Sequence, residues 1–249
     1  MEEKRVLLEC RLSHEREHFG LPSFSAYLNL VESGANPEAL RRFIDLVTTH
    51  YSYFLRESSQ FAFLRDVAFP ELQRRLPHRP WSILCAGCST GEECYTVSML
   101  YEDYALCNPA PGARIRGVDV SEAVLAEARR GVYPAARIAK VSDSWKRRYF
   151  KRTGDDYAVA DCVRKRVSFL YGNLNDEDGL NGRHDVILCR NTIIYLRPEA
   201  RKRLVERLHA HLARDGWLVL GHAEIISDRT RFAYQGDSVY RKQEELVKP

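Results

Sequence analysis

Cys85-Ala86-Gly87-Cys88-Ser89-Thr90-Gly91-Glu92-Glu93 is the stretch whose reading decides the fold. It follows an apolar run, Trp81-Ser82-Ile83-Leu84, and precedes a helical run from Glu92 to Tyr101. Strand, small-residue turn and helix in that order bring backbone N–H groups and a helix N-terminus up to a polar ligand. A second apolar run, Ile115-Arg116-Gly117-Val118-Asp119, ends in a carboxylate suited to a ribose diol. Together they predict an adenosine-type cofactor site. Gly87 and Gly91 alone are a weak motif, because a tight strand-to-helix turn needs glycine without any ligand.

Beyond this stretch strands and helices alternate. Ser82–Ala86, Ile115–Asp119, Val167–Tyr171, Asp185–Cys189, Trp217–Gly221 and Val239-Tyr240 read as strands. Glu92–Tyr104, Ser121–Arg130 and Pro198–Ala213 read as helices, the last ending at Arg214-Asp215-Gly216, a C-cap signal. The alternation predicts an α/β fold with a mostly parallel, doubly wound sheet. Tyr157-Ala158-Val159 and Cys162-Val163 predict a small β-insertion at about 155–166. Residues 1–76 read as helical: Ser23 caps one helix, Asn36-Pro37 opens a second, and Ser59–Leu76 forms a third. The expected division is a helical domain at 1–76 and a sheet domain at 77–249.

Bulk composition narrows the class. The chain has 249 residues, 45% hydrophobic and 29% charged, with net charge +4. It carries no apolar stretch of the roughly 18 residues a membrane span needs and no signal-peptide apolar region, which predicts a cytoplasmic protein. Seven cysteines, some inside strand-like runs, fit buried thiols better than a disulfide framework. Cys85 and Cys88 have CxxC spacing but no second pair, so no metal site is expected. Arg129, Arg130, Arg137, Lys140, Lys146, Arg147, Arg148, Lys151 and Arg152 face one carboxylate, Asp143. That run reads as a solvated helix face or as a dock for an acidic partner.

Ala86–Glu93, Ala128-Arg129-Arg130-Gly131-Val132-Tyr133-Pro134, Asp185–Asn191 with Ile194-Tyr195, and Gly221-His222-Ala223-Glu224 resemble the bacterial chemotaxis receptor methyltransferases of the CheR family. The resemblance runs in motif order from about Arg5 to Lys242. It implies an N-terminal all-helical domain followed by a Rossmann-like, S-adenosylmethionine-dependent methyltransferase domain with a small antiparallel β-insertion. The implied reaction methylates glutamate side chains on cytoplasmic helices of a chemoreceptor, leaving S-adenosylhomocysteine.

By motif position, Arg56 and Tyr195 are the catalytic pair near the transferred methyl. His50, Ser52, Arg56, Gly87, Glu93, Asp119, Val120, Asn173, Leu174, Arg190 and Asn191 are the cofactor neighbours. Asp119 would hold the ribose hydroxyls, Glu93 the amino acid part, and Asn173 with Leu174 the adenine. The chain departs from the family pattern at His50, Tyr51, Ser52, Leu55 and His184. His222 reads as structural, because the reaction has no proton to abstract. A monomer reaching membranes only through its receptor is expected, without stable nucleic-acid binding. The rival readings are a cofactor-binding regulatory module without turnover and, on the basic run with Trp145, Tyr149 and Phe150 interleaved, a nucleic-acid methyltransferase.

Overall fold

A computed structural model describes residues 12–176 and 179–244; residues 1–11, 177–178 and 245–249 lie outside it. The chain forms two compact units, one of residues up to Tyr51 with Ser121–Ala123, the other of Ser52–Val120 and the remainder from Val124.

In the smaller unit, helices run over 12–18, Phe24–Glu32 and Pro37–Val47. Ser23 Oγ accepts from Ala26 N, and Asn36 Oδ1 accepts from Glu38 N and Ala39 N with Pro37 in the first turn, so both expected helix starts hold. Leu12, Tyr27, Val31 and Ala39 make its core. The buried Glu15 carboxylate receives Arg42 Nε at 2.5 Å and Nη2 at 2.9 Å. Arg42's hydrogen bonds hold that carboxyl below its usual range despite burial.

The larger unit is built on a seven-stranded sheet. Its strands are β1 (Trp81–Ala86), β2 (Ala113–Asp119), β6 (Val167–Tyr171), β7 (His184–Cys189), β8 (Leu212–Leu220), β9 (Phe232–Gly236) and β10 (Val239–Lys242). Their order is β6-β2-β1-β7-β8-β10-β9. The first five are parallel, while β10 and β9 are antiparallel. Strand order reverses between β1 and β7, so their carboxyl ends open the crevice where α/β sheets take ligands. Alternate residues of β1 serve the two faces: Ile83 and Cys85 pack in one core, Leu84 and Ala86 in the other. Burial on both faces makes such a strand a continuous apolar run.

The structure departs from expectation in four places. The helices Ser58–Phe63 and Phe69–Arg75, joined by a π turn at Leu64–Ala68, put Phe61, Leu64, Phe69 and Leu72 into the same core as Trp81 and Ile83. The division therefore falls at Tyr51/Ser52 rather than at 76/77. The β-insertion is a three-stranded antiparallel sheet, β3 (Val132–Pro134), β5 (Asp156–Val159) and β4 (Phe150–Thr153), so it begins well before 155. Cys162-Val163 is helical within Asp161–Arg164, because Arg164 N and Lys165 N close back onto Ala160 O and Asp161 O. Arg214-Asp215-Gly216 is no helix cap: the helix Pro198–His211 passes directly into β8, and these residues form an irregularity opposite Asp185, with Asp215 at φ 53°.

The basic run is broken up. Arg137 turns inward to Glu92, Arg148 pairs with Asp103 at 2.7 Å and Lys146 with Asp143 at 3.8 Å. The segment Pro77–Pro80 is pinned by Arg79, whose Nη1 and Nη2 donate to Asp185 at 2.8 and 2.6 Å.

His184 is buried at the start of β7. Its Nδ1 lies 2.9 Å from Ser82 Oγ and its Nε2 lies 3.1 Å from Asn181 O, a neutral ring with both nitrogens partnered. Burial, aided by the Arg116 charge, lowers its pKa from 6.5 to about 4. The unfolded chain thus takes up this proton near pH 6.5, the folded chain only near 4. Stability is full above 6.5 and falls as pH drops toward 4, by up to about 3 kcal/mol. Urea unfolding across this pH range should show that loss, and the slope should flatten in His184→Phe.

Candidate functional site

The site forms where β1, β2, β6, β7 and β8 end. After β1 the backbone reverses at Gly87, whose φ of 82° suits glycine. A Cβ there would sit 2.4 Å from Thr192 Oγ1, so the turn after β1 and the turn after β7 touch only because Gly87 lacks one. Gly87 N and Cys88 N donate to Val118 O at 2.8 and 3.0 Å. Ser89, also left-handed at φ 49°, donates its N–H to Asp119 Oδ2 at 2.8 Å. Asp119 is 8% exposed, and its carbonyl accepts from Gly172 N at 3.0 Å, joining β2 to the turn after β6. That turn carries Asn173, whose Oδ1 accepts from Asn175 N at 3.0 Å, and the buried Leu174. Val120 is half-buried beside Asp119.

The helix Glu92–Cys107 starts at Gly91 with no side-chain cap. Glu92 is fully buried; it accepts from Thr90 Oγ1 at 2.6 Å and from Arg137, which also donates to Ser52 O at 2.9 Å. Glu93 faces Arg190, whose Nη1 donates to it at 2.8 Å. Burial raises the Glu93 pKa, with the Arg190 charge opposing it.

Arg190 is the centre of this cluster. Its side chain is 2% exposed. Besides Glu93 it donates through Nη2 to the carbonyl of Arg56 and to Glu57 Oε2, the latter at 3.2 Å. The guanidinium lies over the Phe61 ring at 4.9 Å. Glu57 also accepts from Asn191 Nδ2 at 3.2 Å and from His222 N at 3.3 Å. Burial pushes the Glu57 carboxyl up, but Asn191's hydrogen bond and Arg190's charge outweigh it and hold it below its usual range. Arg56 is half-buried between two left-handed residues, Leu55 at φ 61° and Glu57 at φ 56°. A non-glycine residue in that region costs about 1–3 kcal/mol, so the surroundings must over-determine it.

The last partner is Glu224, which is fully buried. It accepts from Asn191 N and Gly221 N, each at 2.8 Å, and from Ile194 N at 3.2 Å. Gly221 is obligatory here too, since a Cβ would lie 2.7 Å from Asn191 Nδ2. Glu224 therefore fixes the short turn Ile193–Tyr195, which leaves Tyr195 64% exposed at the rim. His222 is half-exposed, with Nε2 3.0 Å from Asp237 Oδ1 and 3.3 Å from Ser59 Oγ. His50 belongs to the smaller unit, where its Nε2 lies 2.7 Å from Thr48 Oγ1.

Glu93, Asp119, Arg190, Asn191, Asn173 and the Gly87 turn thus all lie at strand ends of one sheet. Sequence reading missed Glu57, Glu92, Glu224 and Arg137. Glu92 and Glu224 stood inside the quoted motifs, and Glu57 beside Arg56, but only tertiary contacts show their work. Ser89 Oγ and Arg190 Nε are buried without a partner among the described residues. Glu93, held by Arg190, and Asp119 present carboxylate oxygens at the strand ends, which suits a ligand bearing hydroxyl and positively charged groups.

Residues 50–240 match the SAM-binding domain model of the CheR methyltransferases, and residues 2–48 match their all-alpha domain model. The chain is 34% identical over 250 residues to the chemotaxis protein methyltransferase of Borreliella burgdorferi, covering 97% of this chain and 87% of that one. It is 36% identical over 228 residues to chemotaxis protein methyltransferase 2 of Pseudomonas aeruginosa, covering 90% and 79%. It is 32% identical over 244 residues to the Escherichia coli chemotaxis protein methyltransferase, covering 95% and 82%.

Replacing Glu224 by Gln should destabilise the protein by about 2 kcal/mol or more, because three backbone amides lose a buried, charged acceptor. Equilibrium unfolding in urea checks this; an unchanged midpoint would mean the turn after β7 is held by other contacts.

Proposed function

The chain belongs to the CheR methyltransferase family, and from that premise we propose that it esterifies glutamate side chains of a chemoreceptor or receptor-like signalling protein in the cytoplasm. S-adenosylmethionine is the cofactor, and when bound it supplies a methyl group made electrophilic by its sulfonium. The observation that carries the reading is the convergence of the Gly87 turn, Asp119, Arg190 and Asn191 at the switch point.

Each residue's part is the one its motif position implies, and its chemistry suits that part. Asp119 offers carboxylate acceptors for the ribose hydroxyls. Glu93, held by Arg190, faces the cofactor's amino acid part, and Asn173 with Leu174 takes the adenine. The substrate glutamate is already ionised at neutral pH and needs no base. It needs in-line placement with water excluded. Arg56 attracts and orients that carboxylate, and Tyr195, exposed at the rim, positions it by one hydrogen bond. Both act by positioning, since a tight ion pair would blunt the nucleophile. No helix among the described residues is long and apolar enough to cross a membrane.

The reaction is tested by incubating the protein with methyl-labelled S-adenosylmethionine and cytoplasmic chemoreceptor fragments. Label that alkali releases as methanol is the expected result; alkali-stable label or none contradicts it. Asp119→Ala should weaken S-adenosylhomocysteine binding at least about tenfold in calorimetry. Arg56→Ala and Tyr195→Phe should lower kcat more than they lower cofactor affinity, whereas equal losses would mark them as binding residues.

A further inference from the structure

We propose that Glu57 is a positioning residue whose carboxylate, gripped from the ends of β7 and β8, locks the left-handed turn that aims Arg56. The inference rests on the role given to Arg56 above. Glu57 is neither near-exposed nor engaged locally. Its carboxylate accepts from groups more than 130 positions away in the chain: Arg190 Nη2, Asn191 Nδ2 and the backbone N–H of His222.

Those donors sit on the two strand ends that also frame the pocket. Arg190 and Asn191 follow β7, and His222 follows β8. Arg190 reaches past the Glu57 carboxylate to the carbonyl of Arg56 itself. The turn is thus held at both its side chain and its backbone by one guanidinium. The hold opposes a real tendency to relax, because Leu55 and Glu57 both occupy the left-handed region that only glycine adopts freely. Arg56 lies between them, so a return of either neighbour to negative φ would redirect the backbone that carries its side chain. Leu55 N has one weak restraint of its own, Thr96 Oγ1 at 3.4 Å.

The same guanidinium gives its other nitrogen to Glu93. Arg190 therefore spans the group facing the cofactor and the group holding Arg56. An ordinary ion pair buried for stability would not need to join those two. Truncating Glu57 should leave the pocket built and the aim of Arg56 lost.

The test compares Glu57→Ala and Glu57→Gln with the unaltered protein. Amide hydrogen exchange over Ser52–Gln60, the Kd for S-adenosylhomocysteine and kcat on a chemoreceptor fragment are measured together. Glu57→Ala is expected to speed exchange at Leu55–Ser58 and cut kcat, each by about tenfold or more, with Kd changed by less than about threefold. Glu57→Gln, which keeps one acceptor oxygen for either Asn191 or His222 and loses the negative charge facing Arg190, should fall between. If Glu57→Ala does not fold, Glu57→Gln carries the comparison. Unchanged exchange, or a kcat loss matched by Kd, overturns the proposal. Should the unaltered protein transfer no methyl group to any fragment, the assigned reaction fails on its own. The exchange rates then decide alone: acceleration upholds the hold on the turn and unchanged exchange overturns it.

Discussion

The Arg190 guanidinium, buried against Phe61 and shared between Glu93, Glu57 and the Arg56 carbonyl, is the interaction around which the carboxyl edge of the sheet is built. A buried charge is expensive to leave unpaired, and breaking such a set by removing one member costs more than the set itself contributes. It therefore specifies an arrangement rather than adding stability. It fixes the start of the helix after β1, the turn after β7 and the segment at Arg56 to one another.

Glu224 does the complementary task with neutral donors. Its carboxylate gathers three backbone N–H groups from the turns after β7 and β8. The turns after β1 and β8 approach the turn after β7 so closely that Gly87 and Gly221 have no room for a Cβ. The crevice at the switch point is thus shaped by close approach of these turns, with carboxylates pinning what the glycines allow. Strain at Leu55, Glu57, Ser89 and Asn191, all left-handed, collects in this one region, as it does where a site is held preorganised.

The parallel strands were legible because burial on both faces leaves near-continuous apolar runs, as in Asp185–Cys189. β9 was not: Phe232-Ala233-Tyr234-Gln235-Gly236 pairs only with β10 at the sheet edge and carries a mixed pattern. β3 and β4 are short and hide inside a basic stretch that reads as helix face. The boundary at 76/77 followed the change from helical to alternating pattern, but Phe61, Leu64 and Phe69 belong by packing to the sheet. Among site residues, Asp119 and Gly87 were readable from local spacing. Glu57 and Glu224 were not, because their partners Asn191 and His222 lie far along the chain or across a turn whose geometry no local pattern encodes.

Calorimetric titration of the purified protein with S-adenosylhomocysteine tests, without any knowledge of the methyl acceptor, whether these strand ends form one preorganised pocket for S-adenosylmethionine. Saturable binding at one site per chain with a Kd on the order of micromolar is expected. Folded protein that takes up no S-adenosylhomocysteine would contradict it.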